Sequence, residues 1–230
     1  MPVVEMLNKK NILIGIFILG LFSIILNIKL YAYDDGDFQV WNTDVEEFKI
    51  NDDSKIALEE EFRWGDNANE FFYHHYDAGI SYRLNKNWGI GGGYRHVYEL
   101  AKGKFKIENE PYVTATLSLA KYGFAFESRN RVEYRHFDFK PDSWRYRNKF
   151  TLKFPWKFSK IQIQPYLGDE ILASFASGTN QLNQNRFFSG LGMSLTKNIK
   201  AEIYYMLVTS KSAGIWTDVN VLGTKLKIAF

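Results

Sequence analysis

The chain has 230 residues, of which 17% are aromatic and 24% are charged, and its formal net charge is +3. This length suits one domain, or one barrel with a short additional segment. The sequence contains no cysteine, which excludes a disulfide framework, a thiolate metal site, a cysteine nucleophile and the lipid anchor of a lipoprotein. So many aromatic residues would require a large core in a water-soluble domain, whereas a membrane barrel can place its rings at the two lipid interfaces.

The first 32 residues differ from the rest of the chain. Lys9 and Lys10 precede an apolar run, Ile12–Leu26, and Ala32 follows at the end of the segment. A basic start, an apolar middle and a small final residue are typical of a secretory signal peptide, so we expect residues 1–32 to be removed by cleavage. An uncleaved membrane anchor is the alternative, because the run is close to the minimum length that spans a bilayer. Cleavage would leave a nearly neutral chain, which gives no argument for nucleic-acid binding.

From residue 37 onward, apolar and polar residues alternate with a period of two. This alternation indicates strands, because successive side chains of a strand point to opposite faces. Eleven segments follow the pattern, with predicted bounds 37–49, 54–64, 71–84, 88–99, 107–119, 122–137, 144–156, 160–173, 185–196, 199–209 and 218–230. They exceed the average strand of about five or six residues and fit the roughly nine to eleven residues that a tilted membrane strand needs.

The predicted links between these segments fall into two alternating sets. Short links are expected at 51–53, 85–87, 120–121, 157–159 and 197–198, and longer ones at 65–69, 101–106, 138–143, 174–184 and 210–217. Because short turns of membrane barrels face the periplasm, the last strand must run toward the periplasm. This parity predicts a barrel of ten strands over residues 54–230, with twelve as the alternative. Residues 33–53 are then a separate segment that is periplasmic, lies in the lumen or supplies an extra strand.

Aromatic residues near the ends of the segments indicate which face meets lipid. Trp88, Tyr122 and Trp156 lie near the short links, and Tyr98, Tyr134 and Trp144 lie near the longer ones. Two such girdles flank the apolar band of a membrane barrel. We therefore predict an all-β fold, an up-and-down antiparallel transmembrane barrel, in contact with the lipid of a Gram-negative outer membrane. A soluble periplasmic barrel that binds an apolar ligand in its core is an alternative, since it would show the same alternation with the faces reversed.

The last predicted strand ends on Phe230. Ile228 and Leu226 occupy alternate positions before it, and Gly223 lies further up the strand. This ending resembles the C-terminal signal of bacterial outer-membrane proteins, although an aromatic residue is commoner at the position of Ile228. The resemblance implies that the barrel-assembly machinery is a partner during biogenesis.

Several short motifs are spread over nearly the whole mature chain. They are Trp41, Glu60-Glu61-Phe62-Arg63, Gly91-Gly92-Gly93-Tyr94-Arg95 after Asn87-Trp88, Asn130-Arg131, and Pro165-Tyr166 followed by Glu170. Together they resemble an uncharacterised bacterial family, domain of unknown function 2490, whose members are predicted outer-membrane barrels. The resemblance implies the fold and the location, and it implies no activity.

Charged residues share the predicted inner face of neighbouring strands. This lumen set comprises Glu59, Glu61, Arg63, Glu127, Arg129, Arg131, Glu133, Arg135, Arg145, Arg147, Lys149 and Lys153. Cross-strand neighbours come within reach of one another, so the set predicts an ion network that fills the barrel, since buried charges persist when they are paired. A narrow conduit for small polar solutes, with a basic lining that favours anions, is the other interpretation. Both functions are non-enzymatic.

All four histidines are predicted near the extracellular rim. His75 faces the lumen, with Glu99 and Glu133 on the inner face at a similar height, and these three are the candidate catalytic residues of a surface-facing barrel hydrolase. The pattern places neither a serine nor an aspartate beside His75. His74, His96 and His136 are expected to face outward as interfacial side chains, and no spacing predicts a metal or a cofactor.

Overall fold

A computed structural model describes residues 35–176, 179–212 and 214–230. The predicted signal peptide, residues 1–32, lies outside the described residues. The described chain forms β1 Asp37–Lys49, β2 Ser54–Gly65, β3 Glu70–Arg83, β4 Trp88–Ala101, β5 Lys104–Lys121, β6 Phe124–Phe137, β7 Ser143–Lys153, β8 Gln164–Ala176, β9 Thr179–Ser194, β10 Ile199–Ser212 and β11 Ile215–Ala229. In this part of the chain, no helix is long and apolar enough to cross a membrane.

The strands close into one barrel in which each strand pairs with its neighbours in the chain. The closing pair is parallel: β1 runs alongside β11, with Asp37 opposite Val219 and Glu47 opposite Ala229. The all-β barrel prediction is confirmed, but the predicted count of ten strands, and the alternative of twelve, is wrong, because the described barrel has eleven. The parity argument assumed an antiparallel closing pair, which requires an even number of strands. A parallel pair removes that requirement, so the segment 37–49 becomes a strand of the wall.

The barrel has two ends, named here after Asp37 and Phe230. At the Phe230 end the strands are joined by residues 50–53, 84–87, 122–123, 154–163 and 195–198, and the links described at the Asp37 end are residues 66–69, 102–103 and 138–142. The predicted division into short and longer links is therefore wrong. The longest connection, 154–163, replaces one of the predicted tight turns.

Local backbone chemistry explains these differences. Lys102 and Gly103 both have positive φ, 53° and 72°, as in the two-residue turn that matches the twist of paired strands. β4 and β5 therefore continue through lysine-rich residues that resemble a loop in the sequence. Conversely, Pro155 has no N–H to donate to a strand ladder, and β7 ends two residues before it.

The two faces of the wall differ in polarity. Exposed apolar side chains lie on the outer face, among them Ile56, Leu58, Ile80, Ile90, Val113, Leu119, Val132, Phe187 and Ile203. The inner face carries buried charges, and it also carries an apolar cluster of Trp41, Tyr166, Phe188, Met206, Val208 and Val221. The interior is therefore partly ionic and partly apolar.

The inner face also changes between the two ends of the barrel. Buried and nearly buried charges fill the half nearer the Asp37 end, and we call this set the plug: Asp77, Arg95, Glu108, Glu110, Arg131, Glu133, Arg135, Arg145, Arg147 and Glu170. Small or partly exposed residues face inward between the plug and the Phe230 end, and we call this set the vestibule: Gly89, Gly91, Thr116, Ser118, Glu127, Arg129, Lys149, Thr151, Lys153 and Gly192. Because Glu127 and Lys153 are exposed although they face inward, solvent reaches the vestibule.

The parallel closing pair can be tested by cross-linking. Asn42 and Thr224 are register partners across the pair, and the Asn42 Nδ2 donates to the Thr224 Oγ1 at 3.1 Å. Mild oxidation of the variant Asn42→Cys/Thr224→Cys should form a disulfide, since a disulfide requires Cα atoms within about 7 Å and the chain has no other thiol. Gel mobility with and without reductant measures the product. The control pair Asn42→Cys/Ile228→Cys should stay reduced, and equal cross-linking of both pairs would contradict the register.

Candidate functional site

The centre of the plug is Glu133, which is completely buried. Its carboxylate accepts hydrogen bonds from Arg145 Nε and, at 3.1 Å, from Arg147 Nη1. Arg145 also donates to Glu110, whose carboxylate lies 3.8 Å from Arg95 Nη1. Glu133 and Arg145 are register partners on β6 and β7, so strand pairing itself places these opposite charges side by side.

The plug continues onto β3, β4 and β5. Arg95 Nε donates to Asp77 Oδ2 at 3.0 Å, and the Tyr112 hydroxyl donates to Asp77 Oδ1 at 2.6 Å. Arg135 forms a two-pronged pair with Glu108, with 2.8 Å between Nη2 and Oε2. A bidentate pair of this kind is among the stronger charge-assisted contacts, and here it connects β5 to β6.

Glu170 on β8 joins the plug to the vestibule. Arg147 Nη2 lies 2.8 Å from its carboxylate, Arg186 Nη1 lies 3.3 Å away, and Arg129 Nη2 lies 3.6 Å away. One carboxylate therefore faces three guanidinium groups. Since these groups are buried with paired partners, their side chains occupy the lumen in the half nearer the Asp37 end.

The sequence-predicted lumen residues divide into three groups in the structure. Arg131, Glu133, Arg135, Arg145 and Arg147 belong to the plug, while Glu127, Arg129, Lys149 and Lys153 lie in the vestibule. Glu59, Glu61 and Arg63 form a third group: Arg63 Nη2 lies 2.5 Å from the Glu61 carboxylate, and Glu59 pairs with Lys225 at 3.3 Å. Arg63 is also sandwiched between aromatic rings, 3.6 Å from the centroid of Trp41 and 3.9 Å from that of Tyr73.

Sequence reasoning missed several members of the network. They are Asp77, Arg95, Glu108, Glu110, Glu170, Arg186 and Lys225. A signal was available for Asp77, because it follows His75 by two residues and so shares the inner face of β3. Glu108 and Glu110 alternate in the same way along β5.

The three candidate catalytic residues do not meet. His75 is buried, with 1% exposure, and its two ring nitrogens lie 3.1 Å from the Tyr73 hydroxyl and 3.3 Å from Glu59. Glu133 lies inside the plug, and Glu99 is exposed near the Asp37 end. A general base must reach both a substrate and a partner, so His75 is placed as a bridge between Tyr73 and Glu59.

His74 and His96 belong to aromatic contacts on the outer face. The His74 ring stacks on Tyr98 at 4.5 Å, and the His96 ring meets Tyr98 edge-on at 4.7 Å. Among the described residues, no group of three or more histidine, cysteine, aspartate or glutamate side chains is arranged to hold a metal ion.

A carboxylate at the Asp37 end fixes the link 138–142. Asp142 accepts hydrogen bonds from the Tyr134 hydroxyl at 2.6 Å, from His136 Nδ1 at 3.0 Å and from the backbone N–H of Phe137 at 3.2 Å. The bond from Tyr134, followed by those from His136 and Phe137, lowers the pKa of Asp142 to about 2. The anchor therefore keeps its charge at neutral and mildly acidic pH.

The predicted assembly residues lie on β11. Leu226, Ile228 and Phe230 face outward, and the Phe230 ring stacks on Phe48 of β1 at 5.0 Å. Gly223 faces inward, where a Cβ atom would overlap the ring of Tyr204. The small residue is thus required by close packing of two strands inside the barrel.

Comparison with known proteins tests the family resemblance that the short motifs indicate. No curated protein matches the chain. The model of a family described as protein of unknown function (DUF2490) matches residues 38–219, a span that runs from β1 into β11 and includes the whole plug. The motif resemblance is thereby confirmed, and the chain belongs to the DUF2490 family of proteins of unknown function.

Proposed function

We propose that this protein is a non-enzymatic, integral barrel of the bacterial outer membrane. The plug closes its lumen toward the Asp37 end, and the vestibule is open toward the Phe230 end. One observation carries the proposal: the outer face is apolar and exposed, while the inner face holds the charges. An exposed apolar surface that extends over the outer face of a barrel is unfavourable in water. In a bilayer the same surface is favourable, and a closed barrel leaves no backbone group unpaired.

The aromatic residues at both ends support a membrane location. Near the Phe230 end, Phe154 stacks on Trp156 at 5.2 Å. Near the Asp37 end, Tyr134 contacts Trp144 at 5.1 Å, and Trp64 contacts Phe71 at 5.6 Å. Aromatic girdles at two levels are typical of membrane barrels, where the rings lie at the lipid headgroups. A soluble barrel with an apolar ligand would need the opposite arrangement of faces.

A membrane barrel should shift in gel mobility on boiling. The protein extracted from outer-membrane fractions is expected to migrate as a compact species without heating and as a slower, unfolded species after it, because every strand edge is paired. Electrophoresis of heated and unheated samples measures this, with a urea-unfolded sample as the control. A single unshifted band from protein found in the soluble periplasm would overturn the proposal.

Loss of one plug carboxylate should destabilise the barrel strongly. Glu133→Gln removes one of the two buried counter-charges of Arg145 and of Arg147, which keep only Glu110 and the shared Glu170, so we expect the free energy of unfolding to fall by about 3 kcal/mol. Urea unfolding in lipid vesicles, followed by tryptophan fluorescence, measures this change. Glu127→Gln on the same strand is the matched control, since Glu127 is exposed and a surface change of this kind alters stability by about 0.5 kcal/mol or less. Equal effects would contradict the pairing.

The plug should also limit ion flow. The wild-type protein in planar bilayers is expected to conduct weakly, because side chains fill the lumen near the Asp37 end. The double variant Glu133→Ala/Arg145→Ala removes both charges of one ion pair and shortens both side chains. It should therefore raise the single-channel conductance. Open, steady wild-type conductance equal to that of the variant would show that ions bypass the plug.

A further inference from the structure

We propose that the boundary between the plug and the vestibule binds a small oxyanion of charge two or more, such as a phosphate group, through Arg129, Lys149 and Arg131. The inference deepens the proposed function, since it names a ligand class for the same lumen. It rests on the geometry of β6 and β7, where cations face one another with too few carboxylates to balance them.

The first observation is the register of like charges. Arg129 is the direct partner of Lys149, and Arg131 is the direct partner of Arg147. Like charges placed directly opposite each other on one face of a sheet are mutually destabilising. Two adjacent rows of this kind form a block of four cations on the inner wall. On the other side of β7, Glu170 is the register partner of Lys149 and is the one carboxylate in that row.

The second observation is the shortage of counter-charge around this block. Among the described residues, no carboxylate oxygen lies within 4.0 Å of Lys149 Nζ, which instead lies 4.7 Å from the Phe188 ring centroid. Arg129 reaches one carboxylate, that of Glu170, at 3.6 Å. Glu170 is already shared with Arg147 and Arg186, so it cannot neutralise the block.

The third observation is a buried guanidinium with unused donors. Arg131 is 6% exposed and stacks 3.7 Å above the Tyr112 ring. Its Nε and Nη1 have no hydrogen-bond partner within the described part of the chain, and the carboxylates of Asp77 and Glu133 are each 3.7 Å from Nη1. Unsatisfied buried donors are unfavourable, and an oxyanion supplies several acceptors at once.

The fourth observation is access. The Arg129 side chain is 31% exposed, whereas its neighbours in the plug are buried. Nearer the Phe230 end than Arg129, the inward residues Glu127 and Lys153 are exposed. Small side chains such as Thr116 and Thr151 line the wall there. A small anion can therefore approach from the Phe230 end without displacing the plug.

The experiment is calorimetric titration of the full-length protein in non-ionic detergent with sodium phosphate, and with sodium chloride at equal ionic strength. Phosphate should bind saturably with a dissociation constant below about 1 mM, and it should raise the unfolding temperature by mass action. Chloride should do neither. Glycerol phosphate, tested in parallel, distinguishes a phosphorylated solute from free phosphate as the natural ligand, and binding of either supports the site.

Matched variants locate the site. Lys149→Gln and Arg129→Gln should each weaken phosphate binding about tenfold. Lys149→Gln should not lower the unfolding temperature in the absence of phosphate, since it removes a desolvated cation that, within the described ranges, has no carboxylate oxygen within 4.0 Å and that lies opposite Arg129. Lys104→Gln, at the other end of the barrel, is the control and should leave binding unchanged. Absence of saturable binding, equal binding of chloride, or full binding by Lys149→Gln would overturn the inference. If the same sample still shifts in gel mobility on boiling, the barrel proposal survives that failure, whereas an unshifted band removes both.

Discussion

The structure depends on one constraint: charges buried in a low-dielectric interior must be compensated. Glu133 and Glu170 are almost inaccessible to solvent, and each is surrounded by guanidinium groups of several strands. Desolvation of such groups is expensive unless their partners are in place. A slip of one residue in any strand would turn the inner charges outward, so the same pairs that fill the lumen also specify the register of the wall.

Closure of the wall follows a second requirement, that no strand edge is left unpaired. β1 satisfies it by pairing in parallel with β11, although every other pair in the described barrel is antiparallel. The inner surface at this closing pair carries an apolar patch, with Trp41 and Val221 in the same cluster. Ionic contacts therefore specify the wall from β3 to β8. Apolar packing contributes at the closing pair, where Arg63 and Arg186 approach the Trp41 ring.

Alternation in the sequence was sufficient to predict the strands and their two faces, because the period of two follows directly from strand geometry. It could not predict how β1 closes the barrel, since a parallel and an antiparallel neighbour impose the same period on one strand. The ends of strands were also misplaced where Lys104 and Lys106 resemble a loop but continue the ladder. Partners such as Glu110 and Arg145 lie 35 residues apart, so only the assembled barrel shows that they meet.

The ladder between β6 and β7 contains both compensated and uncompensated rows of charge. Moving along it from the Asp37 end, the register partners are Glu133 with Arg145, then Arg131 with Arg147, then Arg129 with Lys149. The first row is a compensated pair, in which each charge has its partner directly opposite. The next two rows place like charges together, an arrangement that stability alone disfavours. Since the change occurs where the lumen becomes open to solvent, the excess positive charge at this level is better explained by a ligand that enters from the vestibule than by the packing of the barrel.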